Sequence, residues 1–463
     1  MARADRDPLT VAQPRRTGRY TSPVWSLSTR AGGALAVAVL NVLLARRLTT
    51  ADFGTLAVVT SVATLGAFVV SAGLNRSLLR NVAASLALDR PDQAAADLRM
   101  ARRILALTVP VGAVMSGAVA YLFTRDHASA VELGLLGGLL ALAAGLVLLG
   151  SDVLRGLGEV RLANLTAGRN GGALVTGLFV VLILAAGRTG LTVTTALWFN
   201  LAGLVVAGVA VAVLFRRHRP SAAPAAGSDP TATLDPALRR ALLVASAAFA
   251  GTQIAGYLST QIDLWVGNAI LSPTDVGVYA GALEIMTVVA LPLFAAQLVV
   301  IPRVSALHAQ GRSHHLEQLV RRTATMVTVP AVLFLIPCIV APGEVLTILF
   351  GKAFAPGGFA LAVLALGQLV NVISGLCGTV LAMTSHERLV LWISIGGAVL
   401  SAACDVVGAS LWGIDGLAVA SALTTSAVYV TMWVLARRRT GMWTHPGWPR
   451  VDPELEDAYS PIR

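Results

Sequence analysis

The sequence predicts an all-α membrane protein of about twelve transmembrane helices, arranged as two parallel six-helix repeats around a central cavity. Composition is the first observation behind this prediction. Of the 463 residues, 56% are hydrophobic and only 13% are charged, and the mean hydropathy is +0.75. A soluble domain typically carries about 25% charged residues, because its surface must face water. This chain cannot cover so large a surface with polar groups, so the lipid bilayer is its expected solvent.

The second observation is the length of the apolar runs. A helix that crosses a bilayer needs about 20 mainly apolar residues, and a helix satisfies its own backbone groups in lipid. Twelve runs of about this length follow one another along the chain: 24–45, 53–75, 104–124, 130–150, 164–186, 191–214, 241–268, 277–301, 323–342, 358–382, 389–411 and 413–435.

The placement of the basic residues predicts the orientation. Most of the 35 basic residues lie at the two ends of the chain and in alternate loops, and the remaining loops hold few. Cytoplasmic loops are the ones enriched in Arg and Lys. Both termini are therefore predicted in the cytoplasm, and the protein in the cytoplasmic (inner) cell membrane. The net charge of +11 is read as this topology signal, and nucleic acid is not an expected partner.

The chain divides into two halves joined by a linker. Residues 215–240 are rich in Pro, Ala and Ser, which is typical of a flexible connection. The expected segments are a cytoplasmic N-terminal segment 1–23, a first six-helix half 24–214, the linker 215–240, a second half 241–435 and a cytoplasmic tail 436–463.

The two halves share short motifs. Leu48-Thr-Thr-Ala-Asp-Phe-Gly54 aligns with Leu271-Ser-Pro-Thr-Asp-Val-Gly277 at an offset of 223, and the same offset carries Arg80 onto Arg303. In each motif an Asp precedes a Gly by two residues, which predicts a turn in which Asp52 or Asp275 caps the next helix. Parallel repeats of this kind are associated with transporters whose halves rock about a cavity near the bilayer midplane.

These motifs, in this order, resemble the polysaccharide (O-antigen type) flippase family of the multidrug/oligosaccharidyl-lipid/polysaccharide exporter superfamily. The resemblance also rests on four further stretches and covers about residues 24–436: Gly73-Leu-Asn-Arg-Ser-Leu-Leu-Arg80, Gln261-Ile-Asp-Leu-Trp265, Ile301-Pro-Arg-Val-Ser305 and Val345-Leu-Thr-Ile-Leu-Phe-Gly-Lys-Ala-Phe354. It implies transfer of a lipid-linked glycan, carried on a polyprenyl diphosphate, from the inner to the outer leaflet by alternating access. It does not identify the sugar.

Arginine residues near the inner ends of the predicted spans are candidates for binding the diphosphate. Arg30 and Arg169 lie within spans, and Arg76 and Arg80 lie at the inner end of the second span. Guanidinium groups are permanently charged and bind phosphate in a bidentate way. The alternative is that these side chains only reach for the lipid headgroups.

Carboxylates within the predicted spans are candidates for cation coupling. Asp263 and Glu284 are predicted at similar depth on adjacent helices, and Asp405 lies nearer the outer edge. Two neighbouring carboxylates raise each other's pKa and so favour a shared proton or Na⁺. The alternative is that each carboxylate pairs separately with a Gln, a Tyr or a backbone group.

Uncharged polar residues within the spans complete the candidate site. They are suited to sugar hydroxyls, although helix–helix hydrogen bonds also explain such residues. Those assigned to substrate binding are Asn41, Asn170, Gln368 and Asn371.

Two other functions stay open beside a glycolipid flippase. One is a cation-driven multidrug exporter of the same superfamily, and the less favoured one is a polyprenyl-dependent membrane glycosyltransferase. The predicted outer loops are short, which argues against an enzyme, so no catalytic residue, metal or cofactor is assigned. The expected partners are a lipid-linked glycan, membrane lipids, H⁺ or Na⁺, and glycan polymerases or glycosyltransferases that handle the same glycan.

Overall fold

The computed structural model describes residues 23–88, 90–166, 172–187, 190–218, 236–310, 312–384 and 386–447, and these residues form helices and short connections without a strand. The first half holds eight helices: α1 Pro23–Arg47, α2 Thr50–Ser71, α3 Leu74–Ala87, α4 Pro91–Phe123, α5 Ala130–Gly156, α6 Val160–Thr166, α7 Gly172–Ala185 and α8 Val193–His218. The predicted all-α class is confirmed.

The second half holds eight more helices and one 3₁₀ turn at Lys352–Gly357. The helices are α9 Pro236–Leu258, α10 Ile262–Ile270, α11 Pro273–Ala309, α12 Ser313–Val340, α13 Pro342–Phe350, α14 Gly358–Ser374, α15 Cys377–Met383 and α16 Glu387–Thr440.

Seven described helices are long and apolar enough to cross a bilayer, and the bent pair α9–α10 forms an eighth candidate. The 54-residue α16 counts once among these, but its backbone is non-helical at Trp412 and Gly413. The hydroxyl of Thr424 donates to that of Ser401 over 3.2 Å, so the chain doubles back into two antiparallel helices. The sequence predicted a boundary at this place. The total of twelve spans and their orientation stay predictions.

Three predicted spans are interrupted. The second ends at Ser71, where Ala72 and Gly73 adopt left-handed backbone conformations before α3 begins. The seventh bends by 52° between α9 and α10, where the hydroxyls of Ser259 and Thr260 donate to carbonyls of the preceding turn. The tenth breaks between α14 and α15 at Gly375, which has a φ of 69°. Each break removes backbone groups from the helix ladder, so side chains nearby gain polar partners.

The repeated motif is built differently from the prediction. Thr49 is the N-cap of α2, its hydroxyl accepting from the amide of Asp52 over 3.1 Å and donating to the Asp52 carboxylate over 2.9 Å. Ser272 and Asp275 repeat this arrangement at the start of α11, with distances of 3.2 and 2.7 Å. The Asp residues are therefore the third-position partners of a capping box, and Thr49 and Ser272 are the caps.

The two halves pack against each other through α1, α2 and α3 on one side and α9, α10, α11 and α13 on the other. One apolar core contains buried residues of both halves, such as Leu40 and Phe53 from the first and Tyr279 and Leu417 from the second. The polar groups described below lie at or near this junction.

Candidate functional site

A polar cavity lies inside the first half and is closed on one side by the second. It is bounded by α1, α2, α7 and α8, and α11 contributes one residue, Glu284. The lining residues are Leu40, Asn41, Leu44, Phe53, Leu56, Ala57, Thr60, Val175, Thr176, Phe179, Asn200 and Glu284. The cavity therefore combines an apolar wall with a small set of hydrogen-bonding groups, as ligand sites usually do.

Asn41 and Glu284 join the two halves across this cavity. The Asn41 amide donates to Oε2 of Glu284 over 2.6 Å. The hydroxyls of Thr60 and Thr176 give their protons to carbonyls of their own helices, over 2.7 Å to Leu56 and 3.0 Å to Gly172. Their oxygens thus keep lone pairs as acceptors. The cavity offers one carboxylate and several neutral oxygens to a hydroxylated or cationic ligand.

Asp263 occupies a second polar site, in the second half. It stands in the first turn of α10, directly after the 52° bend, and is 7% exposed. Its Oδ2 accepts from the hydroxyl of Tyr279 over 2.8 Å and from that of Ser421 over 3.1 Å. Its Oδ1 accepts from the amide of Leu264 over 2.8 Å. A buried carboxylate with three donors is well held but still lacks a positive partner among the ion pairs of the described residues.

Asp405 lies close to the same site. It is fully buried, and its Oδ2 accepts from the hydroxyl of Ser401 over 2.9 Å. Its Oδ1 is the one buried carboxylate oxygen of these two acids without a hydrogen-bond partner in the described parts of the chain. Ser401 accepts from Thr424, one turn along α16 from Ser421, so both acids are attached to the same stretch of α16.

The predicted pair of Asp263 and Glu284 does not share hydrogen-bond partners. Asp263 bonds to Tyr279 and Ser421, and Glu284 bonds to Asn41. The alternative given above, with separate partners for each acid, describes these contacts better. Asp405 is the acid that shares a hydrogen-bonded surroundings with Asp263.

Of the predicted arginines, Arg76 and Arg80 are exposed on α3. The Arg80 guanidinium lies 5.8 Å from the ring centroid of Phe249 on α9, which places it at the junction between the halves. The side chain of Arg30 and all of Arg169 and Asn170 lie outside the described residues. The four-arginine patch therefore stays a prediction.

Gln368 and Asn371 sit together on α14, where the Asn371 amide donates to Gln368 over 3.3 Å. Asn371 is 6% exposed, and its Oδ1 has no partner within the described residues. Neither residue lines the cavity around Asn41.

Sequence reasoning missed a buried ion pair at the inner end of α5. Arg155 donates to Oδ1 of Asp152 over 2.5 Å and to Asn164 over 3.2 Å, and Asp152 is 2% exposed. Oδ2 of Asp152 accepts from Asn75 over 3.1 Å. The predicted fourth span ended at residue 150, which placed both charges in a loop. Their spacing of three residues, typical of a pair on one helix face, was the available signal.

Comparison with known proteins adds an independent line of support. A family profile described as polysaccharide biosynthesis protein matches residues 24–308. The chain is also 25% identical over 177 residues to the probable low-salt glycan biosynthesis flippase Agl15 of Haloferax volcanii. That match covers 37% of this chain and 37% of the relative, so it spans little more than a third of the relative's length.

Solved structures show the same fold at low sequence identity. An inward-facing multidrug resistance MATE family transporter of the MOP superfamily gives a TM-score of 0.71 at 14% identity, over 91% of this chain and 98% of that one. An outward-facing MATE transporter gives 0.55 at 16% identity, over 90% and 94%. A MOP superfamily transporter from Pyrococcus furiosus gives 0.56 at 17% identity, over 91% and 99%.

Proposed function

The chain belongs to the polysaccharide biosynthesis protein family, and we propose that it carries a polyprenyl-diphosphate-linked oligosaccharide from the inner to the outer leaflet of the cytoplasmic membrane. The observation that carries the proposal is the family match across residues 24–308, which covers the first half and reaches the end of α11. A fold shared with MOP superfamily transporters supports transport by alternating access.

The diphosphate is the part of this cargo that needs positive charge. Arg76 and Arg80 are exposed on α3, at the predicted inner surface, where a headgroup of the inner leaflet would meet them. In this proposal Arg30 and Arg169 belong to the same patch. A guanidinium donates two parallel hydrogen bonds to phosphate and keeps its charge at any physiological pH.

The glycan is the part that needs neutral hydrogen-bonding groups. The cavity around Asn41 supplies them, with Asn200 and the two threonine oxygens beside Glu284. Asn170, Gln368 and Asn371 are proposed to extend the polar path. In alternating access the lipid tail stays in the bilayer while the sugars cross through the protein.

Coupling to a cation is proposed at Asp263 and Asp405. Two buried carboxylates on one stretch of α16 have no cationic side chain among their described partners. A proton or Na⁺ neutralises such a pair at lower cost than leaving two charges in a buried site. Glu284 remains a second proposed coupling residue, because gaining a proton would weaken its charge-assisted bond to Asn41 across the halves.

The headgroup role is tested by replacing the two described arginines. Arg76→Ala/Arg80→Ala is expected to reduce glycan export by about tenfold or more, since each lost charge-assisted bond is worth roughly 1.5–3 kcal/mol. The matched control is Arg102→Ala/Arg103→Ala, which removes two exposed arginines of α4. The measurement is the lipid-linked oligosaccharide left on the inner leaflet of cells that carry each variant.

If the Arg76/Arg80 variant exports at the control rate while its level in the membrane is normal, the headgroup role is wrong. A cation-driven multidrug exporter is the second candidate, favoured by Glu284 as a carboxylate in the wall of the cavity. Changed resistance to cationic drugs, without accumulation of a lipid-linked oligosaccharide, would establish that function instead.

A further inference from the structure

The two halves meet along two lines of contact that differ in chemistry. The first seam is formed by α2 and α3 against α9 and α10, and the second seam by α1 and α2 against α11 and α13. The described contacts of the first seam run from its middle to its predicted inner end. Those of the second seam lie in its predicted outer part.

The middle of the first seam is polar and aromatic. Ser61 accepts from the indole of Trp265 over 2.7 Å, and its carbonyl accepts from the hydroxyl of Tyr257 over 3.1 Å. The Tyr257 ring packs edge-on against Phe68, with centroids 5.5 Å apart.

The inner end of the first seam is a buried polar network. The hydroxyls of Ser77 and Ser246 are 2.7 Å apart, and the amides of Asn75 and Gln253 exchange two hydrogen bonds of 3.2 and 3.3 Å. Asn75 is fully buried and is also held by Asp152, the partner of Arg155. Serine and amide groups from both halves are therefore paired with one another.

The same end of the first seam is also closely packed. Gly73 has a φ of +71°, and a Cβ atom there would lie 2.6 Å from the amide nitrogen of Ala250 on α9. No other residue type fits this crossing, because both the backbone angle and the space require glycine.

The outer part of the second seam is held mainly by apolar contact. Here the two copies of the repeated motif meet, and a Cβ atom on Gly54 would lie 2.6 Å from the nitrogen of Gly277. Phe53 packs against Phe350 and Phe354, with centroids 6.1 and 5.6 Å apart. We call the crossing of Gly54 and Gly277 the outer clasp.

Towards the predicted inner side, α1 leaves the second seam. Leu40 and Leu44 are buried, whereas Val39 is 47% exposed and Leu35 is 67% exposed. Cβ atoms built on Gly32 and Gly33, one turn further along, would meet nothing within 4 Å. The described part of α1 is thus attached to the second half only through its outer portion.

We infer that the first seam is the hinge of the transport cycle and the second seam is its gate, with the repeated Asp-x-Gly motif forming the outer clasp of that gate. The inference rests on the alternating access proposed above. It gives the motif a function that neither capping nor cargo binding supplies.

The cost of opening differs between the seams. Parting the first seam would leave Asn75, Gln253 and the serine pair without partners in a low-dielectric setting, at roughly 1–3 kcal/mol for each group. Parting the outer clasp breaks van der Waals contacts between small residues, which leave no polar group unsatisfied. The bond between Asn41 and Glu284 opens into the polar cavity, where water replaces it.

Two cross-links across the same pair of halves test the inference, after Cys338, Cys377 and Cys404 have been replaced by alanine. Ser77→Cys/Ser246→Cys forms a disulfide at the hinge, where the two hydroxyls are 2.7 Å apart. Phe53→Cys/Phe350→Cys, joined by a short bifunctional thiosulfonate, closes the gate. The reduced form of each variant is its own control.

The readout is opening of the outer side in purified protein, measured by spin-label distances between the halves, together with glycan export in cells. The hinge disulfide is expected to leave both within about twofold of the reduced form, and the gate cross-link to reduce both by about tenfold or more. A hinge disulfide that stops opening as fully as the gate cross-link, or a gate cross-link without effect, would overturn the inference.

The spin-label result does not depend on the cargo. If opening follows the prediction but no glycan is exported, the proposed cargo is wrong and the hinge and gate stand. If glycan is exported and both cross-links act alike, the assignment of hinge and gate is wrong and the proposed function stands.

Discussion

Single polar residues in this protein take their roles from partners far away in the chain. Asn41 and Glu284 are separated by 243 positions, and Asp263 and Ser421 by 158. The sequence showed that charges within apolar runs are expensive and therefore singled out Asp263 and Glu284. It could not show which donors each would meet, because those donors come from other helices. Asp152 and Arg155 escaped notice since the end of their span was placed too early.

Asp263 and Asp405 are expected to act as one coupling unit. Asp263→Asn and Asp405→Asn should each make glycan export insensitive to collapse of the proton or sodium gradient. The double variant should be no worse than either single one, because residues that share one function are not additive. The measurement is export before and after addition of an ionophore selective for each gradient.

Asp126→Asn, in an exposed loop residue, serves as the control for expression and insertion. If Asp263→Asn loses export in response to the ionophore as the wild-type protein does, cation coupling at this acid is wrong.

The elements show where local sequence and tertiary packing part company. The capping box at α2 and α11 is local, so the Thr/Ser and Asp pattern signalled a helix start in both halves. The glycine in the same motif is explained only by the helix that crosses it. The breaks in the second, seventh and tenth spans were also invisible to hydropathy, since apolar composition continues through them. Their position follows from left-handed glycines and from hydroxyls that compete for backbone carbonyls.

Gly54→Ala is expected to shift the protein towards the form that is open outside. The added Cβ would lie 2.6 Å from Gly277 and cannot be accommodated while the outer clasp is closed. Overpacking of this kind costs about 1–3 kcal/mol, which corresponds to a shift of roughly fivefold or more in the equilibrium. The measurement is the labelling rate of a cysteine at Ala57, in the cavity wall, by a membrane-impermeant maleimide.

Gly256→Ala is the matched control, because a Cβ at this glycine of α9 would meet nothing within 4 Å. It should leave the labelling rate unchanged. Equal labelling of the two alanine variants would show that the crossing of Gly54 and Gly277 does not hold the outer side closed.

At the scale of the whole molecule, two similar halves could be predicted because their motifs recur at a constant offset. Hydropathy fixed the helical class, which the structure confirms, since lipid leaves few alternatives to a helix. The way the halves meet could not be predicted. One seam is paired by polar groups and the other by glycine and aromatic contact, and this difference depends on which faces pack together. The helices lie closer to the inward-facing MATE structure than to the outward-facing one, with TM-scores of 0.71 and 0.55.

The most direct test of the account is movement of a lipid-linked glycan by the purified protein. The chain is reconstituted into vesicles that contain a polyprenyl-diphosphate oligosaccharide, and an impermeant glycosidase reports the fraction exposed on each side. With a proton or sodium gradient imposed, we expect exposure about tenfold or more faster than in protein-free vesicles, and lost in the gate-cross-linked protein. Exposure no faster than in protein-free vesicles under either gradient, from protein that still opens by spin-label distances, would contradict the account.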